Sequence, residues 1–203
     1  MTEQAHPGAS VPAPPPPAPV ARRRRGTSGT RNAVEWIVVV VGAVVVALLV
    51  KTFLVQAFRI PSESMDPTLQ VGDRVLVNKL SYRLHDVNRG DVVVFTRPPN
   101  LPEGPDQPAD LIKRVVGLPG DTVQAKDGRV FVNGRPLDEP YLPEGTRTEN
   151  LGTPVVVPEG QVLVLGDNRA NSADGRVFGT IPEDTIIGRA FVVVWPLSRF
   201  GGL

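Results

Sequence analysis

The alternation of apolar and polar positions predicts a mostly β domain in the larger, C-terminal part of the chain. Short runs rich in valine, leucine and isoleucine recur between turns of Gly, Pro, Asn and Asp, which is typical of strands. Asn133-Gly134 is a strong hairpin signal. We expect a coiled antiparallel sheet or a small barrel. The predicted strands are Val71–Lys79, Asp91–Thr96, Leu111–Val116, Arg129–Val132, Val155–Val157, Gln161–Leu165 and Ile187–Trp195.

A different pattern precedes this domain, because the stretch Trp36–Val50 is apolar and carries no charge. It is slightly shorter than the ~20 residues that span a bilayer. Apolar character resumes after Lys51 and continues to Val55, and Lys51 can extend its ammonium to the interface. A buried core helix and a cleaved secretory segment are the alternatives. No small-x-small site follows Val50, which argues against cleavage, so we predict a permanent transmembrane helix over residues 33–55.

The distribution of charge predicts the orientation of that helix. The formal net charge is only +1 among 203 residues, but a cluster of arginines lies just before the apolar run. The cluster is either a solvated patch or a topology signal, and its position favours a cytoplasmic N-terminus by the positive-inside rule. Residues 1–32, rich in Pro and Arg, are predicted to be a disordered cytoplasmic tail. Residues 56–203 then form an extracytoplasmic domain. The clustered arginines are Arg22, Arg23, Arg24, Arg25 and Arg31.

Composition excludes several kinds of chemistry. The chain has no cysteine, which excludes disulfides, thiolate catalysis and cysteine zinc sites. Of the two histidines, His6 lies in the predicted tail, so a histidine mechanism would have to use His85. The sequence shows no metalloprotease helix motif, no phosphate-binding glycine loop and no aromatic-basic stripe. We therefore expect no cofactor, no metal and no nucleic acid partner.

The first segment that suggests chemistry is Pro61-Ser62-Glu63-Ser64-Met65-Asp66-Pro67, which follows closely on the predicted anchor. Its two prolines stop a helix and favour an irregular turn. A rigid turn can hold a hydroxyl and nearby backbone N–H groups in one orientation. A plain turn that leads into a strand is the alternative interpretation.

Two further segments add to this hypothesis. In the predicted strand Leu111–Val116, alternation places Leu111, Lys113 and Val115 on one face and Arg114 on the other. Apolar neighbours make Lys113 a candidate for a lowered pKa, whereas an edge-strand lysine that prevents aggregation is the alternative. The polar segment Gly166–Arg176 follows another apolar strand. It is either a surface turn or a loop that orients a catalytic lysine through a hydroxyl.

Together these three segments resemble the signature boxes of bacterial type I signal peptidases, in the same order after an N-terminal anchor. The similarity runs from about Phe53 to Pro196 and includes Arg89–Phe95 and Gly179–Asp184. The resemblance implies a membrane-anchored serine endopeptidase with a Ser/Lys dyad on a β fold. Such an enzyme removes signal peptides from exported preproteins after small-x-small sites at the outer face of the cell membrane. The implied partners are these preproteins and the lipid bilayer.

The resemblance also implies the roles of single residues. Ser64 would be the nucleophile and Lys113 the general base, which acts only when it is neutral. The Ser62 hydroxyl and the backbone N–H of Ser64 would form the oxyanion hole.

Other positions would support this pair. Ser172 would hydrogen-bond the lysine, and Asp174 and Arg176 would brace the loop that carries Ser172. Ala170, Gly175 and Glu63 depart from the residues common in the family at their positions, but none of them is catalytic. The substrate pockets would be lined by Phe58, Ile60, Met65, Leu69, Val94 and Ile112.

Three other functions compete with this interpretation. Self-cleaving repressors share a Ser/Lys dyad on a similar fold, but they need a DNA-binding segment and are soluble. A catalytically weak or inactive relative would act as an anchored assembly or scaffold module, yet it should lack Ser64 or Lys113, and both are present. The third alternative is a plain anchored β binding domain.

Overall fold

A computed structural model describes residues 28–101, 108–149 and 151–203, with side chains at 32–48 and from 54 onward within those ranges. The predicted disordered tail lies outside the described residues as far as residue 27. The chain divides into two units, Met1–Ala43 and Val44–Leu203. Helix α1 (Ser28–Phe53) begins before the predicted anchor and ends before Val55, which is the first residue of a strand. Within the part of the chain whose side chains the structure describes, no helix is both long enough and apolar enough to cross a bilayer.

The prediction of a mostly antiparallel β domain is confirmed. All the predicted strands are present within a few residues of their expected bounds, and α2 (Ser81–Leu84) and α3 (Gly175–Phe178) are single turns. The sequence did not reveal the first, fifth, tenth and twelfth strands, and it indicated the seventh only through the hairpin turn that precedes it. The strands are β1 (Val55–Arg59), β2 (Arg74–Asn78), β3 (Val92–Thr96), β4 (Asp110–Gly117), β5 (Thr122–Lys126), β6 (Arg129–Val132), β7 (Arg135–Pro136), β8 (Val155–Val156), β9 (Gln161–Leu165), β10 (Ile181–Pro182), β11 (Ile186–Trp195) and β12 (Gly201–Gly202).

Two antiparallel sheets contain these strands. The larger has the order β1-β2-β11-β3-β4-β9-β10, with β12 paired to β11, and the smaller has the order β7-β6-β5-β8. β1 pairs with β2 from Val55↔Asn78 to Arg59↔Arg74. The residues directly after α1 therefore form an edge strand of the larger sheet. The hairpin predicted at Asn133-Gly134 joins β6 to β7, and both residues have positive φ, as a tight hairpin turn requires.

The position of β4 inside the larger sheet has a direct consequence for the site. β4 lies between β3 and β9, and its residues are buried from Ile112 to Gly117. Both faces of a central strand are covered, so both Lys113 and Arg114 lose their access to water although they point in opposite directions. Because burial of a charge without a partner costs free energy, each of these two cations needs its own hydrogen-bond or ion-pair partners on its own face of the strand.

Candidate active site

The segment around Ser64 forms the irregular turn that its prolines predict. The turn is closed at its base by backbone bonds from Ile60 N to Asp73 O at 2.9 Å and from Gly72 N to Ile60 O at 2.9 Å. Met65 and Leu69 are both fully buried, so they hold the turn against the core. Ser64 is half-buried at the edge of this anchored segment.

Lys113 reaches Ser64 from β4. Its Nζ lies 2.7 Å from Ser64 Oγ and 2.8 Å from the carbonyl oxygen of Ile112, and the residue is only 3% exposed. On its own face of the strand, Leu111 and Val115 belong to the apolar cluster around Val93 and Phe95. The residues that strand alternation places on the same face as Lys113 therefore belong to a buried apolar cluster.

This environment determines the protonation of the lysine. Burial lowers the pKa of Lys113 to about 8, although the Asp174 and Asp167 carboxylates oppose this by favouring the ammonium. Neither carboxylate hydrogen-bonds the lysine among the described residues, because each has other partners. With a pKa of about 8, roughly one lysine in ten is neutral at pH 7.

Asp174 is fully buried and organises the loop that follows β9. It accepts hydrogen bonds from Gly166 N at 2.9 Å and from Arg176 Nε at 2.9 Å, and it pairs with a second guanidinium nitrogen at 2.8 Å. Burial by itself would raise the pKa of Asp174, but the bonds from Arg176 and Gly166 lower it, so the group is a carboxylate at neutral pH. Arg176 also donates to Arg169 O at 2.6 Å. These contacts have the geometry of the bracing that the resemblance implies.

Ser172 lies in this loop, close to the Ser64 turn. A Cβ placed on Gly166 would lie 2.2 Å from Ser172 Oγ and 2.4 Å from Ser64 O, so Gly166 separates the two serines. The Ser172 hydroxyl is buried and has no hydrogen-bond partner among the described residues. The expected bond to Lys113 is therefore not made in this arrangement, because the lysine ammonium is directed to Ser64 Oγ and Ile112 O.

The other face of β4 carries an ion pair that sequence analysis did not identify. Arg114 binds Asp167 through Nε at 2.9 Å and through a terminal nitrogen at 2.7 Å, and Thr68 donates to Asp167 at 2.6 Å. The guanidinium also lies 3.9 Å from the ring centroid of Tyr141. The contact from Thr68 links the Ser64 turn to the loop after β9. In the sequence, the only indication of this ion pair is that Arg114 follows Lys113 and Asp167 follows Gly166.

A second buried arginine was also missed. Arg169 is almost completely buried, donates to Gly166 O at 3.0 Å, and pairs with Glu139 at 2.5 Å. Glu139 comes from the proline-rich stretch after β7, so this pair ties that stretch to the active-site loop. Since the two residues are 30 positions apart in the chain, no local pattern indicates their pairing.

The proposed oxyanion residues lie together. Ser62 is exposed, and its Oγ is 3.3 Å from Ser64 Oγ. The backbone N–H of Ser64 makes no hydrogen bond among the described residues. Both groups are thus available to an oxygen that approaches Ser64.

The six predicted pocket residues gather in one apolar cluster, and none of them lines the open cleft beside the Ser64–Lys113 pair. Five of them are buried, and Phe58 packs against the others. The cluster adjoins the Ser64–Lys113 pair through Met65 and Ile112, which are their chain neighbours. The open cleft beside the pair has a volume of about 210 Å³ and a different lining. Its walls include Ser62, Ser64, Leu101, Leu111, Lys113 and Ala173.

Comparison with known proteins identifies the family of this chain. The family model "Signal peptidase, peptidase S26" matches residues 33–195. The chain is 47% identical over 161 residues to a probable signal peptidase I-2 of Synechocystis, an alignment that covers 79% of this chain and 72% of that protein. It is 40% identical to signal peptidase I of Mycobacterium tuberculosis over an alignment of 217 positions including gaps, with 82% and 74% of the two chains covered.

Two other proteins are also similar. Signal peptidase IB of Staphylococcus aureus is 39% identical over 186 residues, with 84% of this chain and 93% of that protein covered. Among solved structures, a signal peptidase I from Enterococcus faecalis has a TM-score of 0.41 and 31% identity and covers 52% of this chain and 97% of that chain. On the family match and these sequence identities, the chain belongs to the signal peptidase family, peptidase S26, as a serine peptidase that removes signal peptides.

Proposed function

We propose that Ser64 attacks the scissile carbonyl of the preprotein and that neutral Lys113 accepts the Ser64 hydroxyl proton. The observation that carries this proposal is the 2.7 Å contact between Lys113 Nζ and Ser64 Oγ at a buried position. His85, the competing base from sequence, is exposed and is directed at Asp86 O at 2.8 Å. A group that must take a proton in the transition state has to lie within hydrogen-bond reach of it, and Lys113 does.

The steps of the reaction follow from the inventory of the site. As Ser64 Oγ bonds to the substrate carbonyl carbon, its proton passes to Lys113 Nζ, and the carbonyl oxygen becomes an oxyanion. The Ser64 N–H and the Ser62 hydroxyl stabilise that oxyanion, and one such donor contributes about 3 kcal/mol. The ammonium of Lys113 then protonates the departing amine, which leaves an acyl-enzyme. Lys113, neutral again, accepts a proton from the water that attacks the acyl carbon, and it returns this proton to Ser64 Oγ as the bond between Oγ and the acyl carbon breaks and the signal peptide is released.

We propose further that the apolar cluster next to Ser64 and Lys113 limits the side chains accepted before the cut. Its members are close-packed, so only small residues fit without displacing them. A model preprotein with Ala directly before the cut is expected to be cleaved about ten times faster, or more, than one with Leu there, as measured by release of the mature product. Equal rates for Ala and Leu would contradict the pocket assignment.

Two variants serve as controls for the comparison of the Ala and Leu substrates in the same assay. Ser64→Ala should cleave neither substrate, because it lacks the nucleophile. Ser198→Ala removes an exposed hydroxyl from the turn after β11, and it should cleave both substrates at wild-type rates. Activity in Ser64→Ala would overturn the assignment of the nucleophile.

The membrane anchor is also a proposal. The uncharged stretch Trp36–Val50 and the preceding arginines support it. So does the exposure in α1 of large apolar side chains such as Trp36, at 70%, and Val38, at 64%, which is unfavourable in water. We propose that the segment 33–55 holds the enzyme in the bacterial cell membrane with its N-terminus in the cytoplasm and its catalytic domain outside, next to the emerging signal peptide.

A reporter that is active only outside the cytoplasm is expected to work when fused after Leu203. The reason is that the arginines preceding the apolar run are retained in the cytoplasm, so the chain after the run is translocated. Reporter activity in intact cells measures this. A reporter that works only in the cytoplasm serves as the control and should be inactive at the same position; the reverse pattern would show that the orientation is wrong.

A further inference from the structure

Asn168 bonds directly to both peptide groups that flank Ser64. Its side-chain Nδ2 donates to Glu63 O at 3.1 Å, and its backbone N donates to Ser64 O at 3.1 Å. The orientation of the amide follows from a third contact, because Asn171 N donates to Asn168 Oδ1 at 3.2 Å. The oxygen is thereby committed to Asn171, and the amino group faces Glu63 O.

The contact with Glu63 O bears on the oxyanion hole through the planarity of the peptide bond. The carbonyl of Glu63 and the N–H of Ser64 belong to one peptide group, and in a trans peptide they point in opposite directions. A donor that holds the carbonyl therefore also sets the direction of the N–H. The Ser64 N–H has no other partner among the described residues that could orient it.

The same contact strengthens this N–H as a donor. A hydrogen bond to the carbonyl oxygen polarises the peptide group and makes its N–H more positive. Asp66 N also donates to Glu63 O, at 3.0 Å, but it belongs to the same turn and moves with it. Asn168 is attached to the loop after β9, where Asp167 is buried against Arg114. It therefore holds the peptide from a separate, rigid part of the domain.

From this geometry we infer that the Asn168 side chain is a positioning residue for the oxyanion hole: it orients and polarises the backbone N–H of Ser64. The inference rests on the proposed function, in which that N–H stabilises the oxyanion. Asn168 does not contact the reacting atoms, and its effect is expected in the transition state more than in substrate binding.

The test compares Asn168→Ala, which removes the amide, with Asn168→Asp, which keeps an acceptor for Asn171 N but removes the donor to Glu63 O. Both variants retain the backbone bond to Ser64 O. We expect kcat on a small-x-small preprotein to fall roughly tenfold in Asn168→Ala and further in Asn168→Asp, with KM changed by less than about twofold. The matched control is Asn88→Ala, which removes an exposed amide that donates to Asp86 O and should cleave normally.

An Ala-x-Ala peptide aldehyde provides a readout that a purely structural role would not move. Addition of Ser64 Oγ to the aldehyde gives a hemiacetal whose oxygen occupies the oxyanion hole. The affinity of the enzyme for the aldehyde should fall in proportion to kcat in both Asn168 variants. The pH dependence of cleavage should stay that of the wild type, because Lys113 is unchanged. Thermal unfolding and binding of an uncleavable peptide establish that the variants are folded.

The possible outcomes separate the inference from the proposed function. Unchanged kcat in both Asn168 variants, a change confined to KM, or a fall in kcat without loss of aldehyde affinity would each overturn the role of Asn168. Should Asn168→Ala unfold, the near-isosteric Asn168→Asp decides by the same measurements. Activity in Ser64→Ala would instead overturn the proposed function itself, whereas an inactive Ser64→Ala beside fully active Asn168 variants would remove only this inference.

Discussion

Replacement of Lys113 by arginine is expected to lower cleavage roughly a thousandfold, although it preserves the positive charge and much of the side-chain length. Lys113 Nζ donates to Ser64 Oγ at 2.7 Å as an ammonium, and only the deprotonated amine can take the serine proton. A guanidinium is not deprotonated in a protein, so arginine cannot serve as the base. The measurement is the initial rate of preprotein cleavage, with thermal unfolding to establish that the variant is folded.

The control for this variant is Lys79→Arg, the same substitution at a lysine after β2 that has no place in the site. It should cleave at the wild-type rate. Near-normal cleavage by Lys113→Arg would contradict the proposed base. Loss of activity in a folded His85→Ala would point to a histidine mechanism instead.

The same assignment predicts the pH dependence of the wild type. Because burial lowers the pKa of Lys113 to about 8, its neutral fraction rises from roughly a tenth at pH 7 to roughly nine tenths at pH 9. The rate should therefore increase about tenfold over this interval and then level off. A profile that is already flat below pH 7 would show that a group with a lower pKa acts as the base.

The second large effect is expected from Gly166→Ala, which adds one methyl group next to the site. The new Cβ would lie 2.4 Å from Ser64 O and 2.2 Å from Ser172 Oγ. A serine side chain can rotate, but Ser64 O is backbone, so the Ser64 turn has to move away by roughly 1 Å. Because a displacement of that size can cost about a hundredfold in rate, we expect kcat to fall by at least that factor.

Two other glycines separate this effect from a general loss of stability. Gly201→Ala is the neutral control, since its Cβ would meet nothing closer than Arg199 O at 4.0 Å. Gly188→Ala places its Cβ 2.3 Å from Asn78 O between β11 and β2 and should lower the melting temperature without a matching fall in kcat. If Gly166→Ala and Gly188→Ala lose activity only in proportion to their loss of stability, the local explanation is wrong.

The structure shows the surroundings of Gly175 and Ala170, two of the residues that depart from the family pattern. A Cβ on Gly175 would lie 2.6 Å from Leu163 and 2.8 Å from Val164 O, so any side chain at this position would require β9 to shift. Ala170 is exposed and leaves the bonds of Asp174 and Arg176 untouched. The contacts of Asp174 and Arg176 therefore hold the loop 166–176 with Gly175 and Ala170 at these two positions.

Local sequence patterns were enough to predict the class of the fold, most of the strands and the candidate pair of residues. Strand alternation is a local property with a period of two, and it correctly separated Lys113 from Arg114 across β4. Pro61 and Pro67 allowed the irregular turn at Ser64 to be predicted, since proline restricts φ locally. The apolar neighbours of Lys113 indicated the direction of its pKa shift, because desolvation by adjacent strand residues is also local.

Which polar groups contact one another could not be predicted from local patterns, because it depends on how distant segments pack. Asn168 and Glu63 are 105 positions apart, and Asp167 and Thr68 are 99 apart, so their contacts depend on how β9 brings its loop to the turn before β2. The burial of the predicted pocket residues in the core and the unpartnered hydroxyl of Ser172 have the same origin. Side-chain periodicity describes the face of a strand on which a residue lies, whereas packing between distant segments decides what lies opposite it.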